Sequence, residues 1–216
     1  MNTIGTTKKV VKKSEDRTNF LFCFIGTNRT GKSATAQSLA MDWKSSRPNG
    51  IIVAHDPQRR FVDIADGFLT PDDEDWAERC CTLRNALVIL DDIRLIHESD
   101  RASKGLMKLL YHRADYNIDI IYIVHNPGLV INALAHFTSN YFIFMTNIQE
   151  GAFKKKIPNY SLCMAASEKV NKYVSIFGRG KYPKFPYVMV DIEKQRLIAV
   201  NMERDLTKVK LKGEEE

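Results

Sequence analysis

Short apolar runs alternate with amphipathic segments along the first two thirds of the chain. Apolar residues recur at helical spacing after the first run, at Ala36, Leu39, Ala40 and Trp43. Strands that alternate with helices predict a central, mostly parallel sheet covered on both faces, which is a three-layer α/β fold. Five runs have the length and the aromatic or β-branched content of buried strands: residues 19–25, 51–54, 85–90, 118–124 and 141–145.

The pattern changes after residue 146, where a basic, aromatic-rich part begins (residues 151–200). Residues 178–184 contain too much glycine, proline and lysine for a helix or a central strand, which predicts an exposed loop. Two apolar runs separated by a polar turn, at 187–190 and 196–200, predict a closing hairpin. The predicted organisation is a basic N-terminal arm, a single domain and a charged tail: residues 1–18, 19–205 and 206–216.

The first strand run leads directly into a glycine-containing motif. Residues 26–33 fit G-x-x-x-x-G-K-[ST], the phosphate-binding loop. Gly26 and Gly31 permit backbone angles that turn successive N–H groups toward a phosphate chain, while Lys32 adds a positive charge and the Ser33 hydroxyl can ligate Mg²⁺. A strand before the motif and an amphipathic helix after it predict that the protein binds a nucleoside triphosphate. The predicted contacts are Gly26, Thr27, Asn28, Arg29, Thr30, Gly31, Lys32, Ser33 and Ala34.

Two carboxylates emerge together at the end of the third apolar run. Asp91 and Asp92 follow Leu90, which is the pattern of a Walker B element. We expect Asp91 to hold Mg²⁺ through water together with Ser33, and Asp92 to orient or deprotonate the attacking water. The alternative is a carboxylate pair that merely caps the next segment.

Polar residues also end two other strand runs, at His55-Asp56-Pro57 and at His125-Asn126-Pro127. Asp56 is expected at the carboxyl end of its strand, where open α/β sheets bind ligands, although it could simply cap a turn. His125 can reach a γ-phosphate if its strand lies beside the strand of the phosphate loop. The alternative for His125 is a structural histidine.

Arg113 continues the helical stripe of Leu106, Leu109 and Leu110. It is either a solvated arginine near a helix end or an arginine finger that acts on the nucleotide of a neighbouring subunit. The sequence leaves both alternatives open.

The bulk composition is that of a globular domain without a membrane anchor. The chain has 216 residues, of which 44% are hydrophobic and 27% are charged. No apolar run approaches the ~18 residues that cross a bilayer, and no secretory signal is visible near the first residue. Four cysteines without metal-ligand spacing are expected to be reduced, mostly buried thiols.

The formal net charge of +6 is concentrated in the last third of the chain. Residues 154–184 contain eight basic residues and one acid, which predicts a polyanionic partner. Aromatic residues are interleaved with these charges, and lysines or arginines on loops neutralise phosphates without reading base sequence. An ordinary solvated surface is the alternative. The candidate nucleic-acid contacts are Lys154, Lys155, Lys156, Arg179, Lys181 and Lys184.

The order of these motifs resembles the additional-strand, acid-catalysed division of P-loop ATPases. Within it, the chain resembles the FtsK–HerA superfamily of DNA-pumping ATPases, especially the small genome-packaging ATPases of tectivirus-type viruses. The resemblance covers about residues 19–146. It is carried by residues 26–33, by the strand ending His55-Asp56-Pro57, by Leu90-Asp91-Asp92 and by the strand ending His125-Asn126-Pro127.

The resemblance implies a RecA-like fold with an additional strand between the Walker A and Walker B strands, and ATP and Mg²⁺ as cofactors. It further implies a homo-oligomeric ring, commonly a hexamer, with DNA in its channel and capsid vertex proteins as further partners. The chain departs from the family pattern at Asp92, where glutamate is usual, and at His125, where glutamine is typical. Arg113 falls near an arginine of the family.

The function predicted from these observations is ATP-driven DNA translocation that packages a viral genome, in the host cytoplasm or at the virion. One alternative is an assembly ATPase of the zonula-occludens-toxin type, whose relatives carry a membrane-spanning helix that we do not predict here. Another is a small-molecule kinase with residues 178–184 as its lid. The last is a non-catalytic, nucleotide-gated DNA-binding scaffold.

Overall fold

The computed structural model describes residues 19–70, 75–99, 101–146, 157–177 and 184–202. The strands of the described part, in chain order, are β1 (Leu21–Ile25), β2 (Ile51–His55), β3 (Gly67–Leu69), β4 (Ala86–Leu90), β5 (Ile118–Val124), β6 (Asn140–Ile143), β7 (Tyr187–Asp191) and β8 (Arg196–Val200). The α-helices are α1 (Lys32–Ser46), α2 (Trp76–Cys80), α3 (Lys104–Tyr116), α4 (Asn132–Phe137) and α5 (Tyr160–Phe177). Short 3₁₀ helices lie at Ile93–Leu95 and Pro127–Leu129.

The eight strands form one sheet in the order β3-β2-β4-β5-β1-β6-β7-β8. The pairs among β1 to β6 are parallel, whereas β7 and β8 add to the β6 edge as an antiparallel hairpin. Strand β5 lies between β1 and β4, with Val124 opposite Ile25 and Tyr122 opposite Leu90. The predicted fold is therefore confirmed, including the strand inserted between the two motif-bearing strands.

Both faces of the sheet are covered, because the central parallel strands alternate with helices that cross to one side or the other. Helix α1 packs on one face through Ala36, Ala40 and Trp43. Residues of α2, α3, α4 and α5 contribute to the core on the opposite face. Strands β4 and β5 are buried along their whole length, as continuous apolar runs predict. The four cysteines are free and buried.

A buried aspartate ties α1 to the amino end of the sheet. Asp119, near the start of β5, is 0% exposed. Its carboxylate accepts hydrogen bonds from Trp43 Nε1 at 2.7 Å and from the Phe20 backbone N–H at 2.9 Å, and it pairs with the Arg47 guanidinium. Burial raises the pKa of Asp119, and the Phe20 N–H and the Arg47 guanidinium counteract that rise. The carboxylate thereby fixes where α1 ends against the sheet.

Two elements were absent from the sequence prediction. Strand β3 has only three residues and begins with a glycine, so its apolar content is too short to register as a strand. Helix α5 was not predicted, although its three charged residues, Glu168, Lys169 and Lys172, are all exposed. The helix buries Cys163, Ala166, Val170 and Val174 along one face.

Tyr173 is one of the aromatic residues interleaved with the charges of the basic part. This side chain lies on α5 and is 2% exposed, so it belongs to the interior of the protein. The predicted arm (1–18) and tail (206–216) lie outside the described residues. Within the described ranges, no helix has the length and apolar content needed to cross a membrane.

Candidate nucleotide-binding site

The turn between β1 and α1 has the backbone geometry of a phosphate-binding loop. Gly31 precedes α1 with φ of 95°, a conformation that L side chains rarely adopt. A Cβ at Gly31 would lie 2.1 Å from Phe185 Cγ, and a Cβ at Gly26 would lie 2.6 Å from Phe144 Cβ. Both positions therefore require glycine, Gly31 for its backbone angle as well as for space.

The loop is closed by hydrogen bonds to its own backbone. Thr30 Oγ1 and Lys32 Nζ each donate to the Thr27 carbonyl at 2.8 Å, and the Thr27 N–H donates to the Met145 carbonyl at 2.9 Å. The Lys32 side chain thus bends back over the loop, which places its ammonium group where a phosphate chain would lie.

The charge of Lys32 is destabilised in this position. Burial and, to a smaller extent, the nearby Arg60 guanidinium lower its pKa to about 8, although Asp91 and Asp92 oppose the shift. A phosphate bound in the loop would supply the negative charge that stabilises the protonated ammonium. Lys32 is therefore arranged to bind an anion.

Ser33 and Asp91 meet beside the loop. The Ser33 hydroxyl donates to Asp91 Oδ2 at 3.1 Å, and both side chains are buried. His55, at the end of β2, fixes Asp91 from behind, because its Nδ1 donates to the Asp91 carbonyl at 2.7 Å and its own carbonyl accepts from the Asp91 N–H at 3.0 Å. Burial raises the pKa of Asp91, while Arg60 and Ser33 favour its ionised form.

This pair of oxygen ligands fits Mg²⁺. Magnesium binds hard oxygen donors and typically keeps several waters, so it needs only one or two protein ligands beside substrate phosphates. A buried carboxylate oxygen and a hydroxyl oxygen 3.1 Å apart, next to a phosphate loop, supply such a set. Ser33 and Asp91 are the residues that would hold the ion.

Asp92 and His125 face each other across the ends of β4 and β5. His125 Nε2 lies 3.5 Å from Asp92 Oδ2, and each side chain is about one quarter exposed. Asp92 has a left-handed backbone with φ of 53°, which is uncommon for a residue other than glycine. His125 Nδ1 is buried and has no hydrogen-bond partner among the described residues. The two side chains form a pair that is able to orient a water molecule.

A cavity of about 390 Å³ opens over the loop, and His125 is among its lining residues. Its volume is within the range of small-molecule and cofactor sites. His125 reaches it because β5 lies beside β1, the condition on which the γ-phosphate prediction depended. The cavity is lined by Asn28, Arg29, Thr30, Gly31, Lys32, Ser33, Ala34, Gln37, Arg60, His125 and Phe185.

A scan against protein-family models found no match, and the comparison with curated proteins also found none. Solved structures do share this fold. The DNA-packaging ATPase B204 of Sulfolobus turreted icosahedral virus superposes with a TM-score of 0.61 at 14% identity, covering 83% of this chain and 96% of that one.

Two further structures extend the comparison. The genome packaging NTPase B204 of Sulfolobus turreted icosahedral virus 2, solved with ATP-gammaS, gives a TM-score of 0.59 at 14% identity, covering 84% of this chain and 96% of that one. The cytoplasmic domain of the type VII secretion ATPase EccC of Thermomonospora curvata gives 0.57 at 15% identity, covering 86% of this chain but only 24% of that one.

The fold is that of a P-loop NTPase. The likeness to genome-packaging ATPases that the motif order suggested is confirmed for the fold alone. At 14–15% identity these comparisons do not transfer activities or partners to this chain.

The P-loop fold brings most of the predicted site residues together. Lys32, Ser33 and Asp91 lie around one point, and Asp92 and His125 lie beside it. Gly26 lies next to Phe144, and the Thr27 N–H donates to the Met145 carbonyl, so both residues position the start of the loop. The remaining loop residues and Ala34 line the cavity.

Arg113 is not brought to this site. Its Nη1 donates to the Asn19 carbonyl at 2.7 Å, beside the amino end of β1, whereas the phosphate loop follows the carboxyl end of that strand. Burial lowers the pKa of Arg113, and Asp119 opposes that shift. A role toward the nucleotide of a neighbouring subunit stays a prediction.

Of the predicted nucleic-acid contacts, only Lys184 lies within the described residues, and it is exposed. The others, Lys154, Lys155, Lys156, Arg179 and Lys181, lie outside the described ranges. Their contact with DNA stays a prediction.

Sequence reasoning missed three residues of the cavity, Gln37, Arg60 and Phe185. Arg60 follows the strand-end Asp56 by four residues, so the rule that ligands bind at the carboxyl ends of strands could have drawn attention to it. Phe185 was counted among the aromatics of the basic part, but the structure packs its ring against Gly31. No local signal in the sequence links residue 185 to residue 31.

Proposed function

We propose that this chain is an ATP-driven DNA translocase of the viral genome-packaging type. The observation that carries the proposal is the convergence of Lys32, Ser33 and Asp91 on one buried point beside a phosphate loop. The fold shared with packaging ATPases, one of which was solved with ATP-gammaS, supports ATP as the nucleotide.

Each residue of the site has a distinct task in ATP hydrolysis. The loop N–H groups and Lys32 bind the phosphate chain, and Ser33 and Asp91 hold Mg²⁺. When bound, the ion would neutralise the charge that develops on the phosphoryl group during its transfer. Asp92 accepts a hydrogen bond from the attacking water and draws its proton, and His125 holds Asp92 and the water in position.

The basic residues are connected to the nucleotide cavity through the polypeptide chain itself. Lys184 directly precedes Phe185, whose ring packs on Gly31 of the phosphate loop. A nucleotide that changes the position of Phe185 would therefore change the position of the basic residues before it. We propose that this connection couples ATP hydrolysis to DNA movement. The proposed assembly is a homo-oligomeric ring, commonly a hexamer. It would bind capsid vertex proteins in the host cytoplasm or at the virion.

The test is ATP turnover measured with and without DNA, together with the native mass of the assembly. A translocase should hydrolyse ATP faster when DNA is present and should need assembly to do so. Lys32→Ala should abolish turnover, whereas Lys44→Ala, in the last turn of α1 and paired with Asp66, should leave it unchanged.

Neutral replacements of the basic residues test the DNA contact. DNA binding should weaken in a variant that carries Lys181→Gln and Lys184→Gln, with or without replacement of Lys154, Lys155 and Lys156. For every phosphate that the variant no longer neutralises, the slope of log K against log salt should become shallower by about 0.9 on duplex DNA. Monomeric hydrolysis that DNA does not affect, or an unchanged salt slope, would contradict the translocase proposal.

A further inference from the structure

The guanidinium group of Arg60 lies on the two side chains that are assigned to the metal ion. Arg60 is in the loop after β2, and its Nη1 donates to Ser33 Oγ at 2.6 Å. The same nitrogen lies 3.7 Å from Asp91 Oδ2. Ser33 and Asp91 are in turn hydrogen bonded to each other, so the three groups form one cluster.

This cluster compensates the buried negative charge of Asp91 in the nucleotide-free site. Asp91 is 3% exposed, and a buried carboxylate is costly unless a cation or several donors compensate it. Arg60 supplies that compensation, since its charge favours the ionised form of Asp91. The guanidinium thus provides in the free protein the positive charge that a divalent cation would provide in the nucleotide complex.

We infer that Arg60 is a placeholder for the metal ion, which releases Ser33 and Asp91 when the magnesium nucleotide binds and then contacts the phosphates. The inference rests on the proposed function, because it takes Ser33 and Asp91 as the metal ligands.

Arg60 has to move rather than lose its charge. A guanidinium group stays protonated at any physiological pH, and two cations within hydrogen-bond distance of the same oxygens repel each other. The side chain is 44% exposed and lines the cavity, and its other guanidinium nitrogen, Nη2, donates to Oε1 of the exposed Gln58, so it has room to move. A planar guanidinium that leaves Asp91 is well suited to phosphate oxygens, which it binds through two parallel hydrogen bonds.

The neighbouring Arg59 offers a matched control. It carries the same charge and is exposed, but it lines a separate cavity with Val62 and Phe68. Arg59→Ala and Arg60→Ala therefore change the net charge equally, and only the second removes the group that contacts Ser33.

The experiment compares the dissociation constant of a fluorescent ADP analogue in excess Mg²⁺ with that in EDTA, for the full chain and both variants. In Arg60→Ala, nucleotide that binds without metal brings its phosphates beside an Asp91 carboxylate that the guanidinium no longer compensates. In the metal complex, the loss of the phosphate contact of Arg60 is offset because the guanidinium no longer has to be displaced. The ratio of the constant in EDTA to the constant in Mg²⁺ should rise about tenfold, the size expected for one charge-assisted hydrogen bond. Arg59→Ala should leave the ratio unchanged.

A second measurement needs no nucleotide. Mg²⁺ alone should raise the melting temperature of Arg60→Ala more than that of the wild type, since Ser33 and Asp91 are then free to bind it. If the wild type binds the analogue and Arg60→Ala has the same ratio of dissociation constants as the wild type, the inference is overturned and the proposed function is left intact. An equal change in both variants would show a general charge effect and also overturn it. Absence of nucleotide binding by the wild type would remove the proposed function and the inference together.

Discussion

Each end of the central sheet buries a carboxylate, but the groups that contact the carboxylate differ between the two ends. At the amino end, Asp119 is surrounded by donors that belong to the fold: Trp43, Arg47 and the Phe20 backbone. At the carboxyl end, Asp91 is met by the Ser33 hydroxyl and by a half-exposed arginine from a loop. Burial raises the pKa of both aspartates.

Hydrogen bonding separates the two ends further. Near Asp91, three buried polar atoms have no hydrogen-bond partner within the described ranges, His55 Nε2, Asp56 Oδ1 and His125 Nδ1, whereas the amino end has one, Arg113 Nε. Unsatisfied buried groups cost roughly 1–3 kcal/mol each, so a stable fold retains them only where they have another task. The comparison shows that the amino end is built for stability, whereas the carboxyl end is left incomplete for a ligand.

The largest expected effect is on catalysis at the carboxyl end. Asp92→Asn should lower kcat for ATP hydrolysis by about 10² to 10⁴, because the amide cannot draw a proton from water. The dissociation constant of ATP should stay within about twofold, since Asp92 does not bind the phosphates. Asp92→Glu retains the carboxylate and should recover part of the rate. Steady-state turnover and equilibrium binding measure these effects, and full activity of Asp92→Asn would make Asp92 a structural residue.

A large effect on stability is expected at the amino end. Asp119→Ala should lower the free energy of unfolding by about 3 kcal/mol, because buried donors of Trp43 and Phe20 lose their acceptor. Urea denaturation measures this change, with Asp42→Ala on the exposed side of α1 as a control that should stay within about 0.5 kcal/mol. Nucleotide affinity should be unchanged at low temperature. A stable Asp119→Ala protein that binds nucleotide poorly would break the division between the two ends.

The depressed pKa of Lys32 predicts a pH dependence of nucleotide binding. The free protein loses the Lys32 proton near pH 8, and a bound phosphate favours the protonated form. Affinity should therefore be flat below about pH 8 and fall by up to about tenfold per pH unit above it. Calorimetry in two buffers should also detect proton uptake on binding at about pH 8.5, just above the pKa of the free protein. Lys44→Ala should keep this profile, and an affinity that stays constant well above that pKa would contradict it.

The smallest expected effect distinguishes the two interpretations of Arg113. If the side chain serves only the amino end, Arg113→Ala should cost about 1–2 kcal/mol of unfolding free energy, through loss of its bond to the Asn19 carbonyl. ATPase activity per assembled ring should then persist. Lys108→Ala, on the exposed side of the same helix, is the control. A loss of about 10³ or more in turnover with unchanged stability would instead identify Arg113 as the arginine that acts on the neighbouring subunit.

Most of the parallel sheet could be predicted from local pattern. The strand, glycine loop and helix at residues 21–46 and the strand ending at Asp91 each contain their signal within a few consecutive residues. Helix α3 was also predicted, although it extends to Tyr116, three residues beyond Arg113. Strand β3 was missed because it is a strand only through its pairing with β2, which is a contact between segments and not a local preference.

The sequence by itself determined the fold class, the phosphate loop and the identity of the metal-binding candidates, because glycine conformation, apolar periodicity and carboxylate position are local properties. Tertiary structure alone decided which charges meet. It placed Arg60 on Ser33 across 27 residues, Phe185 on the distant Gly31, and Arg113 at the end of the sheet away from the loop. These contacts depend on the order of strands in the sheet, and that order is set by the burial of whole faces, which no single stretch of sequence encodes.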